Sequence, residues 1–486
     1  MSFIKKFSKD AIAYGLGRGI KKFLGFLLLP FYTRALTPAD YGILDTLATF
    51  VFFIGVFLNL GLDSASGFYY FQPKEEKEKG KILFTVFSLR LITIAPALIL
   101  SFFSSEISQM LFKTDEYSNI VLITCLLLPL NVITSEQELI YRFNRQPWKY
   151  NFLTILRSVV NIGAGVTLVV NLKWGVLGAQ LASLVSSLIV IVFSFLFYTR
   201  KKYTYEFSFE WAKKLLKYGL PLVLAGIAVW VYQVSDRFFL LYYQNLDDIG
   251  FYSIGSTFSQ PLGLINAAVQ MSWGVLFYEI YNNEGPEKTE SKNAITLVVK
   301  YYIVLGCIIS LFLSVFAFEI VSIAATPKYL PGIIVIPLLL FAAILAQLVE
   351  IIGVGITLSE KTIYFTYILI VSAAVNFGLN FIFIPWLSFY GASITFILAY
   401  IVNLLLTIKI ANKYFPAKYD TIKLTSVFLI FFIISASIPL LEIKQIIIVP
   451  FYLKAVILIL GLTVPFLFKF IKIEQVKSLL ARKKIT

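Results

Sequence analysis

Apolar runs long enough to cross a lipid bilayer recur along this whole chain, and they constrain its fold more than any other feature. A helix needs about 20 predominantly apolar residues to span the hydrocarbon core. The 486 residues are 59% hydrophobic and 14% charged, whereas about 25% of the residues of soluble domains are charged. A soluble fold would therefore lack the polar side chains to cover its surface. The sequence predicts an all-α, polytopic membrane protein.

Short polar segments divide the apolar sequence into about fourteen predicted transmembrane helices. They are predicted near residues 10–32, 42–68, 82–103, 118–141, 152–171, 176–198, 218–243, 250–278, 294–318, 333–357, 363–384, 390–410, 424–441 and 447–470. All connections between them are short. No soluble domain is therefore expected within the chain.

Lysine and arginine are distributed unevenly between alternate connections. The set that includes both termini carries 29 of these residues, and the other set carries 5, namely Arg34, Lys113, Lys173, Lys328 and Lys444. Basic residues accumulate on the cytoplasmic side of membrane proteins. We therefore expect the N- and C-termini in the cytoplasm.

Short sequence matches recur at a nearly constant spacing, which indicates an internal duplication. Asp40-Tyr41-Gly42 returns as Asp248-Ile249-Gly250, Val160-Asn161-Ile162-Gly163 as Val375-Asn376-Phe377-Gly378, and Gly178-Ala179 as Gly391-Ala392. The spacing covers six helices, an even number, so both copies enter the membrane in the same direction. We predict two parallel six-helix lobes, residues 1–205 and 206–415, followed by residues 416–486 with the last two helices and a basic cytoplasmic tail.

Composition also argues against several classes of function. Histidine is absent, and the two cysteines, Cys125 and Cys307, lie in separate apolar runs. We therefore predict no catalytic site, no metal site and no cofactor. The net charge of +15 would suggest nucleic acid in a soluble protein. Here the basic residues lie in short segments between apolar runs, so no nucleic-acid partner is expected.

One segment, Pro30–Gly42 with the sequence PFYTRALTPADYG, carries a resemblance to a known family. Within it, Thr37 is suited to cap the second helix, Pro38 to occupy its first position, and Asp40 to lie at its positive end. The segment resembles a signature of bacterial polysaccharide exporters and flippases. Further similarity lies in Gly61-Leu62-Asp63-Ser64-Ala65, Asp236-Arg237 and Gly250-Phe251-Tyr252-Ser253, and it extends over essentially the full length.

The resemblance implies a Wzx-type flippase of the multidrug/oligosaccharidyl-lipid/polysaccharide exporter superfamily. Such proteins move undecaprenyl-diphosphate-linked oligosaccharides from the cytoplasmic to the periplasmic leaflet of the bacterial inner membrane by alternating access. The expected partners are that polyprenyl-diphosphate oligosaccharide, membrane lipids and other membrane proteins of polysaccharide assembly. A lipid II flippase and an ion-coupled antiporter of drugs or other small molecules, both of the same superfamily, are the alternatives.

Basic residues within the predicted helices are the candidate substrate-binding groups. The hypothesis is a cationic cavity that holds a diphosphate, since arginine binds phosphate through two parallel hydrogen bonds and lysine supplies a point charge. The alternative is that these long side chains reach the headgroups from within a helix end. The candidates are Arg18, Lys21, Lys22, Arg90, Arg157, Arg237 and Lys300, and Lys454 is a further basic residue in a predicted span.

Acidic residues in or near the helices are interpreted as counterions or as coupling sites for a proton or Na⁺. An unpaired carboxylate in lipid is costly, so each should have a partner. Arg237 is expected to pair with an acid on a neighbouring helix, because its sequence neighbour Asp236 should point elsewhere. The acidic candidates are Asp63, Glu136, Asp236 and Glu350.

Overall fold

A computed structural model describes residues 2–285, 287–443 and 449–467, apart from the side chains of residues 2–14, 16, 18, 22, 275 and 466. Within these residues the chain is helical and contains no strand. Ten of the described helices are long and apolar enough to cross a membrane, and Phe451–Pro465 is a shorter apolar one. The predicted all-α membrane fold is confirmed, and the number of fourteen helices stays a prediction.

The chain forms two compact units, and the first comprises Met1–Gly250. Its helices are α1 (Ser2–Ala35), α2 (Pro38–Asn59), α3 (Leu62–Tyr69), α4 (Glu76–Phe102), α5 (Ser104–Phe112), α6 (Ser118–Phe143), α7 (Pro147–Gly165), α8 (Gly175–Phe197), α9 (Phe209–Val234), α10 (Asp236–Tyr243) and the first residues of α11 (Leu246–Asn283). A π-helical segment, Val166–Asn171, extends α7. Such segments locally re-aim the side chains of a helix.

The start of α2 is built as its sequence predicts. The Thr37 hydroxyl accepts a hydrogen bond from the Asp40 backbone N–H, and the Asp40 carboxylate accepts one from the Thr37 backbone N–H at 2.8 Å. Pro38 occupies the first turn, where its missing N–H leaves no hydrogen bond unmade. This reciprocal capping fixes where α2 begins.

A break after α2 places Asp63 on a separate short helix and brings α9 close. Leu60 and Gly61 adopt left-handed backbone conformations, with φ of 51° and 66°, which end α2 and begin α3. A Cβ at Gly61 would overlap the carbonyl group of Gly219 on α9, so the two backbones are in direct contact. The first unit therefore includes α9, whereas the predicted first lobe ends at residue 205. The three-part division by duplication stays a prediction.

The second unit begins at Phe251, within α11. It continues with α12 (Thr289–Val315), α13 (Ala317–Ala324), α14 (Val335–Leu358), α15 (Ile363–Tyr414), α16 (Thr421–Ile443) and α17 (Phe451–Leu467). Helix α14 is largely buried and packs against α12, α15 and α16. Ser388 divides α15 with a non-helical backbone conformation, φ 50° and ψ −134°. This kink lies between the predicted spans 363–384 and 390–410.

Lys454 joins three helices of the second unit. Its side chain is fully buried, and its Nζ lies 2.7 Å from Glu319 on α13 and 2.6 Å from Glu442 on α16. A lysine that reached the headgroups would remain exposed at its amino group, so that interpretation of Lys454 is wrong. The ion pairs instead tie α17 to α13 and α16.

The glycines of the two repeated Asp-X-Gly motifs permit a close helix crossing in the first unit. A Cβ at Gly42 would overlap the backbone carbonyl of Leu246, and a Cβ at Gly250 would overlap that of Pro38. The N-terminal turns of α2 and α11 therefore approach through backbone alone. By contrast, nothing lies within 4 Å of the position of a Cβ at Gly55, farther along α2.

Replacing Gly42 by alanine should therefore separate the two crossing turns. We expect Gly42→Ala to destabilise the protein by about 1–3 kcal/mol, the usual cost of overpacking. Gly55→Ala is the matched control in the same helix and should be neutral or stabilising, because alanine is the better helix former. Thermal midpoints in detergent, followed by size-exclusion chromatography after heating, measure both. An unchanged midpoint for Gly42→Ala would contradict this helix crossing.

Removing the Lys454 charge should leave two carboxylates without their cation. We expect Lys454→Met to cost about 3–5 kcal/mol, as for other broken buried ion pairs. The triple variant Lys454→Met, Glu319→Leu, Glu442→Leu should recover most of the loss, since an apolar replacement of all partners leaves no uncompensated charge. The same heating assay compares them. Equal midpoints for the single and triple variants would show that charge pairing is not what Lys454 contributes.

Candidate functional site

Arg90 lies at the centre of a charged cluster between α3, α4 and α6. Its side chain is 1% exposed. Its guanidinium donates to the Asp63 carboxylate through Nη2 and, at 2.8 Å, to the Val132 carbonyl through Nη1. Its Nε lies 3.9 Å from the Glu136 carboxylate, which is itself 2% exposed. The structure thus brings together three of the predicted site residues, one cation and two acids.

Tyr203 connects this cluster to the segment after α8. Its hydroxyl donates to Glu136 at 3.0 Å. Burial and the nearby Glu136 carboxylate raise the pKa of the Tyr203 phenol, so it stays a hydrogen-bond donor at neutral pH. Asp63 also accepts a hydrogen bond from Ser135 at 3.2 Å. Because Arg90 is buried and paired, it is held by its neighbouring carboxylates rather than presented to a ligand, although Asp63 itself is partly exposed.

Arg237 is also paired, and one expectation about it was wrong. Its Nε donates to Asp45 on α2 at 3.1 Å, which is an acid on a neighbouring helix as predicted. Its Nη1, however, also donates to Asp236 at 2.7 Å. Asp236 was expected to point elsewhere because adjacent helical residues diverge. The two residues begin the short helix α10, and the Arg237 side chain folds back there to reach its neighbour.

A cavity of about 350 Å³ in the first unit is the candidate binding site. Its lining includes aliphatic side chains from α2 and a group of polar side chains from α6, α7 and α8. The lining residues are Tyr32, Leu44, Leu47, Ala48, Val51, Leu127, Asn131, Arg157, Asn161, Ala179, Gln180 and Ser183. Of the predicted basic residues whose side chains the structure describes, Arg157 alone lines this cavity.

Arg157, which is half-buried, differs from the buried Arg90 and Arg237 in its partners. Its Nη2 donates to the Asn131 amide oxygen at 3.0 Å and to the Ser187 hydroxyl at 2.8 Å. Both partners are neutral. Glu138 lines a small neighbouring void with Arg157, but within the described part of the chain no carboxylate forms an ion pair with this guanidinium. Glu138 still interacts with this guanidinium electrostatically, so its charge is balanced from a distance, with no carboxylate at contact distance among the described residues.

The remaining predicted residues lie elsewhere. Lys21 is exposed on α1, and the side chains of Arg18 and Lys22 lie outside the described residues. In the second unit, Lys300 is half-buried on α12. Glu350 on α14 is exposed and accepts a hydrogen bond from Gln270 at 3.1 Å. In the first unit, Lys21 and Arg157 both lie near enough to Glu138 to interact with it electrostatically, whereas Arg90 and Arg237 are held in separate ion pairs.

Neutral polar residues of the cavity were missed as candidates, although the sequence carried a signal for them. Arg157 and Asn161 are four residues apart on α7, and Gln180 and Ser183 are three apart on α8, spacings that place each pair on one helix face. A polar stripe along an apolar helix indicates a face turned away from lipid. Charged residues alone do not reveal this polar stripe.

The described residues contain no candidate metal site. No cluster of three or more histidine, cysteine, aspartate or glutamate side chains in that part of the chain is placed to hold a metal ion. Both cysteines are buried and unpaired as disulfides. What the site offers is a guanidinium, carboxamides and hydroxyls, which bind anions and hydroxyl groups.

Comparison with solved structures identifies the fold. The lipid II flippase MurJ in an inward closed conformation superposes with a TM-score of 0.73 at 17% identity, over 98% of this chain and 100% of that chain. An inward-facing multidrug resistance transporter of the MATE family, from the MOP superfamily, superposes with a TM-score of 0.65 at 15% identity, over 83% of this chain and 97% of that chain. The chain therefore has the fold of this transporter superfamily.

Comparison of sequences identifies the family. A protein of the Lsg locus of Haemophilus influenzae is 26% identical over 280 residues, which is 56% of this chain, and the match spans 66% of that relative's own length, just under two thirds. The family of polysaccharide biosynthesis proteins matches residues 7–277. The protein is accordingly a multi-pass membrane protein. Since the match covers more than half of the chain, the protein belongs to the polysaccharide biosynthesis protein family, and its resemblance to Wzx-type flippases is confirmed.

Proposed function

We propose that this protein moves undecaprenyl-diphosphate-linked oligosaccharide repeat units from the cytoplasmic to the periplasmic leaflet of the bacterial inner membrane, with both termini in the cytoplasm. Transport proceeds by alternating access, in which the polar cavity opens to each side in turn. Arg157 binds the diphosphate headgroup. The polyprenyl chain stays in lipid, where its apolar surface costs nothing to accommodate.

The observation that carries this proposal is a half-buried arginine in the wall of a cavity, which hydrogen-bonds to neutral groups and forms no direct ion pair with Glu138, the nearby carboxylate. A charge inside a membrane protein is costly unless a partner compensates it. Its retention beside neutral groups is explained if the substrate supplies the negative charge. A planar guanidinium also matches the paired oxygens of a phosphate.

Further cations are proposed on α1. This helix packs against α7, which carries Arg157. A Cβ at Gly17 would overlap the Asn151 side chain of α7, so the two helices are close at that level. Arg18, Lys21 and Lys22 follow Gly17 directly in sequence. We propose that they assist Arg157 in binding the headgroup.

An anionic substrate is favoured over the cationic drugs of an ion-coupled antiporter. Such an antiporter requires carboxylates free to bind cations, whereas Asp63, Glu136 and Asp45 are already engaged by arginine or a hydroxyl. We therefore propose Asp63, Glu136 and Asp236 as counterions rather than coupling sites. The likeness to the lipid II flippase is one of fold, so it does not decide between lipid-linked substrates.

The membrane potential is proposed as the energy source. A diphosphate carries about two negative charges, so moving it outward across an inside-negative membrane gains about 4.6 kcal/mol per 100 mV. The unloaded cationic site is drawn back inward by the same field. No second ion is needed for a complete cycle.

Loss of the Arg157 charge should slow transport strongly without unfolding the protein. In cells depleted of the native protein, we expect completed lipid-linked oligosaccharide to accumulate on the cytoplasmic leaflet. Wild type should restore its export, Arg157→Gln should lower the export rate by about 10- to 100-fold, the equivalent of one lost charge-assisted contact, and Arg157→Lys should retain part of it. Leaflet location is measured by the accessibility of the sugars to an external lectin or oxidant.

Arg90→Gln is the matched control, since it removes an arginine that is already paired. It should leave Asp63 and Glu136 uncompensated and lower the thermal midpoint and the amount of folded protein. Transport per folded molecule should fall less than in Arg157→Gln. If Arg157→Gln exported normally at wild-type abundance, or if depletion trapped no intermediate, the proposed function would be wrong.

Transport should also respond to an imposed potential. With purified protein in liposomes, a diffusion potential that is negative on the cytoplasmic side should accelerate outward movement of a polyprenyl-diphosphate sugar, and the reverse potential should slow it. A proton or Na⁺ gradient without a potential should have little effect. Rates that follow an ion gradient but not the potential would instead assign coupling to an ion.

A further inference from the structure

The polar cavity has two chemically different sets of lining residues. Four aliphatic side chains on α2, namely Leu44, Leu47, Ala48 and Val51, occupy one face of that helix at the spacing i, i+3, i+4 and i+7. Helices α7 and α8 contribute Asn161, Gln180 and Ser183 together with Arg157, and α6 contributes Asn131. An anion alone would need only the cationic group. The aliphatic and carboxamide linings therefore require another explanation.

Gln180 is the residue that points beyond helix packing. Asn161 donates to Ser183 across α7 and α8 at 3.2 Å, and Asn131 accepts from Arg157, so each has a partner in the protein. Gln180 is 9% exposed, yet its amide makes no hydrogen bond within the described part of the chain. Its amide atoms are not fully enclosed, unlike the unpartnered amide nitrogen of Gln347, so they open onto the cavity and are available to hydrogen-bond a ligand there.

The chemistry of these groups matches a sugar ring. A carboxamide offers donors and an acceptor on one side chain, which suits hydroxyl groups that also donate and accept. The carbon–hydrogen faces of a sugar ring are apolar and pack against aliphatic side chains. A cavity of about 350 Å³ is at the small end of ligand pockets, so it holds a small part of an oligosaccharide.

The guanidinium in the same lining places an anion beside that ring. Arg157 uses Nη2 for its two neutral partners, and its Nε and Nη1 make no hydrogen bond to the described residues. We propose that the cavity is a subsite for a sugar ring bearing one anionic substituent, with Gln180 binding the ring hydroxyls and Arg157 the anion. This inference rests on the proposed function. The anion is then the phosphate bonded to the first sugar or the carboxylate of an acidic sugar.

In this subsite, Gln180 determines which sugar is bound, whereas Arg157 binds the anionic group. Wild-type protein in detergent should bind sugar 1-phosphates about tenfold more tightly than inorganic phosphate, the equivalent of about one to two hydrogen bonds. Gln180→Leu should lose that ratio but keep its affinity for inorganic phosphate. Arg157→Gln should lose both. Gln347→Leu, which replaces a buried glutamine of the second unit, is the control and should keep both affinities.

Calorimetric titration with glucose, galactose and N-acetylglucosamine 1-phosphates, glucuronic acid and inorganic phosphate tests this proposal. Preference for a sugar 1-phosphate assigns the phosphate as the anion, and preference for glucuronic acid assigns a carboxylate. A ratio near one for every sugar, or an unchanged ratio in Gln180→Leu, overturns the sugar subsite while leaving the flippase function standing. Failure of wild type to bind any of the anions overturns the Arg157 site and the subsite together.

Discussion

The neutralisation of charge within an apolar helix bundle is the constraint on which the rest of this structure depends. Lipid cannot solvate an ammonium or guanidinium group, so a basic side chain inside the bundle must find its counterions in the protein. Arg90, Arg237 and Lys454 each lie beside two carboxylates. Each set joins helices that lie far apart in sequence. The ion pairs thereby specify which helices are neighbours. Apolar side chains alone specify helix neighbours weakly in a membrane, because lipid is as apolar as they are.

Arg157 differs from these three residues because its direct partners are neutral. Its hydrogen bonds to Asn131 and Ser187 orient the guanidinium, and among the described residues the Glu138 carboxylate acts on its charge only from beyond ion-pair distance. A carboxylate at contact distance would compete with phosphate for the same N–H groups. Neutral partners hold the side chain in place without that competition. A paired arginine is therefore suited to holding helices together, and an arginine with neutral partners to binding an anion.

Sequence reasoning succeeded where the cause is local. The apolar runs predicted the membrane fold, and Thr37, Pro38 and Asp40 predicted the start of α2, because capping is decided within one turn. It could not predict that Arg237 meets Asp45, since the two residues are 192 positions apart and only the packing of α2 with α10 brings them together. It misjudged Asp236 because the regular helix geometry that separates neighbours does not hold at the start of α10. The direction that each side chain faces was not predictable from sequence.

The predicted internal duplication allows equivalent positions in the two halves of the chain to be compared. The spacing that aligns Asn161 with Asn376 aligns Arg157 with Ser372. In the second unit Asn376 is buried and accepts a hydrogen bond from Asn380, which in turn accepts one from Thr395. Ser372 is fully buried and bonded to the backbone of its own helix. At the position that the predicted duplication makes equivalent to Arg157 the chain has a serine, and the neighbouring amides of the second unit bond to each other and to a hydroxyl. The proposed substrate has a single charged headgroup, so one cationic cavity is sufficient for it, and an equivalent arginine in the second unit would need a counterion of its own.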